Sequence, residues 1–181
     1  KTALGVASLR PWDLAVDPLG RAPLRPFDSP DELADLAISV FEELDPYFAD
    51  CLREMRTMGR LDLGSRDGKA PGGYNYPLYE TGPPFIFMNA VGTTSDVITM
   101  VHEGGHAVHS FLTHPLPITG FKNFPSEVAE LASMSMELLT MEHWHLIYTD
   151  PEELRRAKRD QLERVLSILP WVATVDAFQH A

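Results

Sequence analysis

Residues 100–111, MVHEGGHAVHSF, set two adjacent glycines inside a stretch whose apolar spacing is helical. Each glycine gives up roughly 1 kcal/mol of helix stability relative to alanine. The loss falls between two histidines and directly after a glutamate. A residue without a side chain is what lets another backbone come close. Any fold for this chain therefore has to bring a second element against this helix.

Several other segments have the pattern of helices. Residues 29–44, SPDELADLAISVFEEL, have Ser29 as N-cap, Pro30 at the first helical position and Glu32 completing a capping box. Leu33, Leu36, Ala37, Val40 and Leu44 supply the apolar stripe. Pro46 opens a second helix running to about Met58. Residues 93–112 form a third, with Thr94 or Ser95 as cap and Asp96 beside the positive end of its dipole. Residues 126–148 form a fourth, capped by Ser126. A fifth covers 150–169, with Asp150 as cap and Pro151 at the first position, and a short helix follows Pro170. Between the second and third helices, residues 63–84 are rich in Gly and Pro and read as loop. PFIFMNAV, residues 84–91, reads as a strand, and its leading prolines suggest a place near a sheet edge. The expected fold is mainly α with a small β-sheet (α+β), in a single domain over 1–181, a length that can bury a sizeable core.

Composition narrows the partners. A net charge of -11 argues against nucleic acid, which needs a basic patch. No run approaches the roughly 20 apolar residues of a membrane span. Cys51 is the single cysteine, so no intrachain disulfide can form; this fits a reducing, cytoplasmic setting, with Cys51 as a half-buried helix residue. The opening KTALGVASLRPWD has neither a signal-peptide pattern nor an initiator methionine, which suggests an excerpt of a longer chain.

His102, Glu103 and His106 make an H-E-x-x-H pattern. Residues four apart lie one helical turn apart on one face, so both imidazoles can reach one zinc ion, Zn(2+). Glu103 points about 100° round the helix, too far to be a third ligand but well placed to act as general base on a metal-activated water. A catalytic zinc needs one more protein ligand. Glu127, Glu130 and Glu137 are the candidates. Glu127 falls in a first helical turn, where a carboxylate simply opposes the dipole. Glu130 lies on a partly apolar stripe with Met134, Glu137 and Met141, where a cation would repair an unpaired charge. Glu130 is the preferred ligand and Glu127 the alternative. Glu137 could orient a ligating histidine or be an exposed charge. Gly105 then permits the two helices to approach, and Gly104 leaves room for substrate or water. His109 shares the stripe but is too far along to share the ion, so it supports the site from behind or packs. His143 and His145 project from different sides of a helix and read as structural.

GKAPGGYNYP, PFIFMNAVGTTSDVITMVHEGGHAVHSF and PSEVAELASMSMELL, with LRPWDL and WVATVDAFQH, resemble the oligoendopeptidase F branch of the thimet-oligopeptidase-like zinc metallopeptidases. The resemblance implies a zincin-like metallopeptidase core: His102, His106 and Glu130 as zinc ligands, Glu103 as general base, and a carboxylate at Glu137. It implies short peptides as substrates, and a substrate-pairing edge strand around Phe85 to Ala90, including Phe87, Met88, Asn89 and Ala90. Family members usually carry Leu or Phe where this chain has Gly104. They also have a long N-terminal region and a later segment bearing Tyr and His, so the N- and C-terminal parts of a full-length enzyme would be missing partners. The function expected is a zinc-dependent endopeptidase. The alternatives are a non-catalytic metal- or peptide-binding helical module and a zinc aminopeptidase.

Overall fold

In the computed structural model, which describes residues 4–17 and 19–181, the first helices begin where their capping residues dictate. Helix α1 (Pro30–Leu44) is capped by Ser29, whose Oγ accepts the Glu32 N–H at 3.1 Å. The Glu32 carboxylate accepts from Asp28 N–H at 2.7 Å, one residue further back than a capping box requires. Helix α2 (Pro46–Thr57) is capped by Asp45. The two helices bury Leu33, Ala37, Val40 and Phe41 against Ala49, Leu52 and Met55. Cys51 lies in the same interior, where burial pushes its thiol up to about 11, so it is inert.

One strand lies wholly, and two others partly, in the segment whose composition reads as loop. Strands β1 (Leu61–Gly64), β2 (Tyr74–Leu78) and β3 (Gly82–Ala90) form one sheet in the order β1-β3-β2. β1 runs parallel to β3 and β2 antiparallel to it. β3 is therefore the central strand, not an edge. Its prolines are tolerated because β1 pairs only from Ile86 onward and the β2 register shifts between Tyr76 and Leu78, so no regular ladder bond is required at 83 or 84. Short Gly- and Pro-bearing strands carry too weak a period for composition to reveal them.

The loop between β1 and β2 is held by a buried cation. The Lys69 side chain is 1% exposed, and its Nζ donates to Gly64 O at 2.7 Å, Asp62 O at 2.9 Å and Asp62 Oδ1 at 3.0 Å. Nζ also lies 4.4 Å from the centre of the Phe87 ring. Arg66 and Lys69 hold the Asp62 carboxyl down to about 2. A depressed carboxyl stabilises the fold above its ordinary pKa of 3.8, and that contribution is lost as pH falls through about 2. Asp62→Asn should lower the unfolding free energy at neutral pH by about 1–3 kcal/mol, because Lys69 stays buried without its counter-charge. It should also flatten the stability profile between pH 3.8 and about 2, measured by urea melts.

Helix α3 (Thr94–Thr113) starts after Thr93, not at Thr94 or Ser95. Asp96 decides this: its Oδ2 accepts the N–H of Thr93, the Oγ–H of Thr93 and the N–H of Val91. Helix α4 (Ser126–Leu139) has Pro125 at its N-cap, with Ser126 as the first helical residue. It ends earlier than its sequence pattern suggests, and residues Thr140–Leu146 tighten into a 3-10 helix around the fully buried Trp144. Helix α5 (Pro151–Gln179), capped by Asp150, runs unbroken through Pro170. The carbonyl that Pro170 leaves without a donor lies on an exposed turn, where water can satisfy it. Among the described residues no helix is long and apolar enough to cross a membrane. The chain is mainly α with a small three-stranded sheet.

Candidate metal centre

Gly105 is where α3 and α4 meet. A Cβ there would stand 2.8 Å from Ser133 Cα, 2.9 Å from Ala132 O and 3.0 Å from Met136 Cβ. Those atoms are mostly backbone and cannot give way, so only glycine allows this approach. Gly104 has a different neighbour from the substrate or water its position suggests. A Cβ at 104 would lie 2.7 Å and 2.9 Å from ring carbons of Phe41, which fills that side of α3 from α1.

The approach brings three donors together. Nitrogens of His102 and His106 and a Glu130 oxygen all lie within 4.8 Å of one another. His102 Nε2 is 3.4 Å from Glu130 Oε2, and His106 Nε2 is 3.8 Å from Glu130 Oε1. The two rings stand nearly perpendicular, 4.9 Å between centres. A tetrahedral ion with bonds near 2.0–2.1 Å needs donors roughly 3.3–3.4 Å apart, so the set fits a zinc ion with little movement. Glu127 is exposed in the first turn of α4 and joins no such group among the described residues.

The environment separates the two imidazoles. His102 Nδ1–H donates to Glu137 Oε1 at 2.6 Å, which fixes the tautomer and leaves Nε2 with its lone pair facing Glu130. Burial pulls His102 down, but the bond to Glu137 and the charges of Glu103, Glu137 and Glu130 outweigh it, and its pKa is raised. His106 has no such bond; burial and the neighbouring His102 lower it. Glu137 also accepts from Gln161 Nε2 at 2.6 Å, a contact from α5 that the sequence does not signal.

Glu103 is 6% exposed, and its Oε2 has no hydrogen-bond partner among the described residues. Burial pushes its carboxyl up, opposed by His102 and by the backbone N–H of Asn75. Asn75 belongs to β2. Its partner Ile86 spends its own N–H on Arg60 O, towards β1, so the Asn75 main chain points off the free side of the sheet, towards α3. His102, Glu103, Glu130 and Glu137 line an open cleft of about 1610 Å³ between α3, α4 and α5.

Other residues singled out in the sequence lie elsewhere. His109 stacks on Phe124 with ring centres 4.0 Å apart, a packing contact. His143 and His145, with ring centres 6.4 Å apart, join no group of metal donors among the described residues. The strand residues expected to meet substrate are committed inside the sheet. Met88 and Ala90 face the core, and Phe87 stacks on Tyr74. Asn89 Nδ2 donates to Ala70 O and Gly72 O. The free edge on the Glu103 side belongs to β2.

The pattern of Peptidase family M3 matches this chain over residues 1–181. Oligopeptidase PepF of Bacillus subtilis (strain 168) is 32% identical over 113 residues, 62% of this chain and 17% of its own length. The chromosomal oligoendopeptidase F of Lactococcus lactis subsp. cremoris is 31% identical over 113 residues, with the same shares covered. Among solved structures, PZ peptidase A with an inhibitor superposes with a TM-score of 0.87 at 32% identity, over 99% of this chain and 31% of that one. The chain thus spans less than a third of the length of these relatives. Matched from residue 1 to residue 181, and similar in sequence and in fold to these peptidases, it belongs to peptidase family M3 and is of the oligoendopeptidase F type.

Proposed function

We propose that this chain carries the catalytic centre of a zinc-dependent endopeptidase acting on short peptides, with His102, His106 and Glu130 as the metal ligands. The observation that carries this reading is the convergence of those three donors within 4.8 Å of one another, two of them, His102 and Glu130, lining an open cleft. Bound there, zinc supplies a Lewis acid for the scissile carbonyl and lowers the pKa of water towards about 7. The chain's own groups do the rest. Glu103 takes the proton of the attacking water and passes it to the departing amine nitrogen. Its unpartnered Oε2 is free for that exchange. Glu137 holds His102 in the ligating tautomer. The unpaired edge of β2 gives the substrate main chain a strand to extend beside Glu103. The names of the relatives, oligopeptidase and oligoendopeptidase, support short peptides as substrates. A single, buried, inert thiol suits a cytoplasmic setting.

Elemental analysis after dialysis against trace zinc tests the ligand set. One equivalent is expected on the wild-type chain and on Glu127→Ala, and well under a tenth of an equivalent on Glu130→Ala. Loss of metal from Glu127→Ala with retention in Glu130→Ala would transfer the ligand role to Glu127.

A further inference from the structure

Helix α5 has 29 residues, and only Ala157 and Gln161 are buried in it. Gln161 is 1% exposed, an unusual state for a glutamine on an otherwise exposed helix. Its Oε1 is buried without a partner among the described residues, which is destabilising. A residue that only seated α5 on the protein would be apolar, as Ala157 is. The polar contact Gln161 does make is to Glu137, where its Nε2 donates to Oε2 at 2.6 Å. A carboxylate only accepts, so the amide group must face it in this orientation. The other oxygen of Glu137 holds the Nδ1–H of His102, also at 2.6 Å.

With an oxygen on each neighbour, the Glu137 carboxylate cannot turn without breaking one bond. From this geometry we infer that Gln161 is a positioning residue for the metal centre. It locks Glu137, Glu137 locks the His102 ring, and His102 Nε2 is held towards Glu130 and His106. The seating of α5 is thereby coupled to the geometry of the ligands on α3 and α4. Nothing in the α5 sequence marks Gln161 for this, since the partner is 24 residues away. The inference rests on the metal-site reading above.

Zinc affinity measured by chelator competition tests it, in the wild-type chain, Gln161→Leu, Glu137→Ala and the double variant. Gln161→Leu should weaken zinc binding about tenfold. In the Glu137→Ala background the same change should matter less than about twofold, because the link it acts through is gone. An unchanged affinity in Gln161→Leu, or an equal penalty in both backgrounds, overturns the inference; the latter would mean Gln161 acts through helix packing. If Gln161→Leu does not fold, Gln161→Glu keeps the shape and sets two carboxylates against each other, and it should bind zinc at least tenfold more weakly. Wild-type affinity in Gln161→Glu overturns the inference equally. A wild-type chain that takes up no zinc removes the metal-site reading itself, whereas one equivalent on the wild type with unaltered affinity in the variants removes only the role of Gln161.

Discussion

Glu103→Gln should leave one equivalent of zinc on the protein and lower peptide hydrolysis by about 10²–10⁴-fold. The side chains have the same shape, and Glu103 is not one of the three converging donors. Among the described residues its Oε2 has no hydrogen-bond partner to lose, so the fold should tolerate the exchange. What disappears is an atom able to accept a proton from water and release it to an amine. The checks are kcat with a short internally quenched peptide and metal content on the same sample. Full activity in a zinc-loaded Glu103→Gln protein would remove the general base from the proposed mechanism. Joint loss of metal and activity would instead make Glu103 part of the binding site.

Gly105→Ala is expected to be the most damaging single-methyl change in the molecule. Alanine would recover roughly 1 kcal/mol of helix propensity. Against that, the new Cβ meets Ser133 Cα and the Ala132 carbonyl at 2.8 Å and 2.9 Å, and neither is the end of a flexible side chain. Overpacking of this kind costs about 1–3 kcal/mol, so the clash outweighs the propensity gain. Relief requires α4 to retreat, and Glu130 lies on α4 one turn before Ser133. Strain of that size, relieved only by withdrawing a ligand, corresponds to about 10–100-fold in zinc affinity.

Gly104→Ala is the control. Its clash is with the Phe41 ring of α1, not with α4, which carries Glu130. It should reduce thermal stability while leaving zinc affinity within about twofold, and Phe41→Leu should relieve part of the loss. Equal effects of the two alanines on zinc affinity would show that the close approach at Gly105 has no special bearing on the site.

Local chemistry made much of this legible from the chain alone. Ser29 and Asp150 cap their helices because a short polar side chain can bond to the amides just ahead of it, and no distant residue is needed. The spacing of His102 and His106 follows from one turn of helix. Errors arose where adjacent residues competed for one cap or where the deciding partner lay far along the chain. The expected cap at Thr94 or Ser95 moved to Thr93 because Asp96 gathers three donors there. Residues 63–84 conceal β2 and the end of β1 because their pairing partner is β3, and the buried Lys69 that holds the intervening loop looks in sequence like any surface lysine.

The sequence by itself determined the helices, the face on which two imidazoles stand, and the need for a side-chain-free position beside them. These depend on contacts within a few residues, and the 3.6-residue period encodes them directly. Tertiary structure alone decided that Phe41 occupies the space beside Gly104, that β2 lies at the sheet edge on the Glu103 side, and that Gln161 reaches Glu137. Each of those is a contact between segments far apart in the chain, set by how whole elements pack, and no local pattern of residues records it.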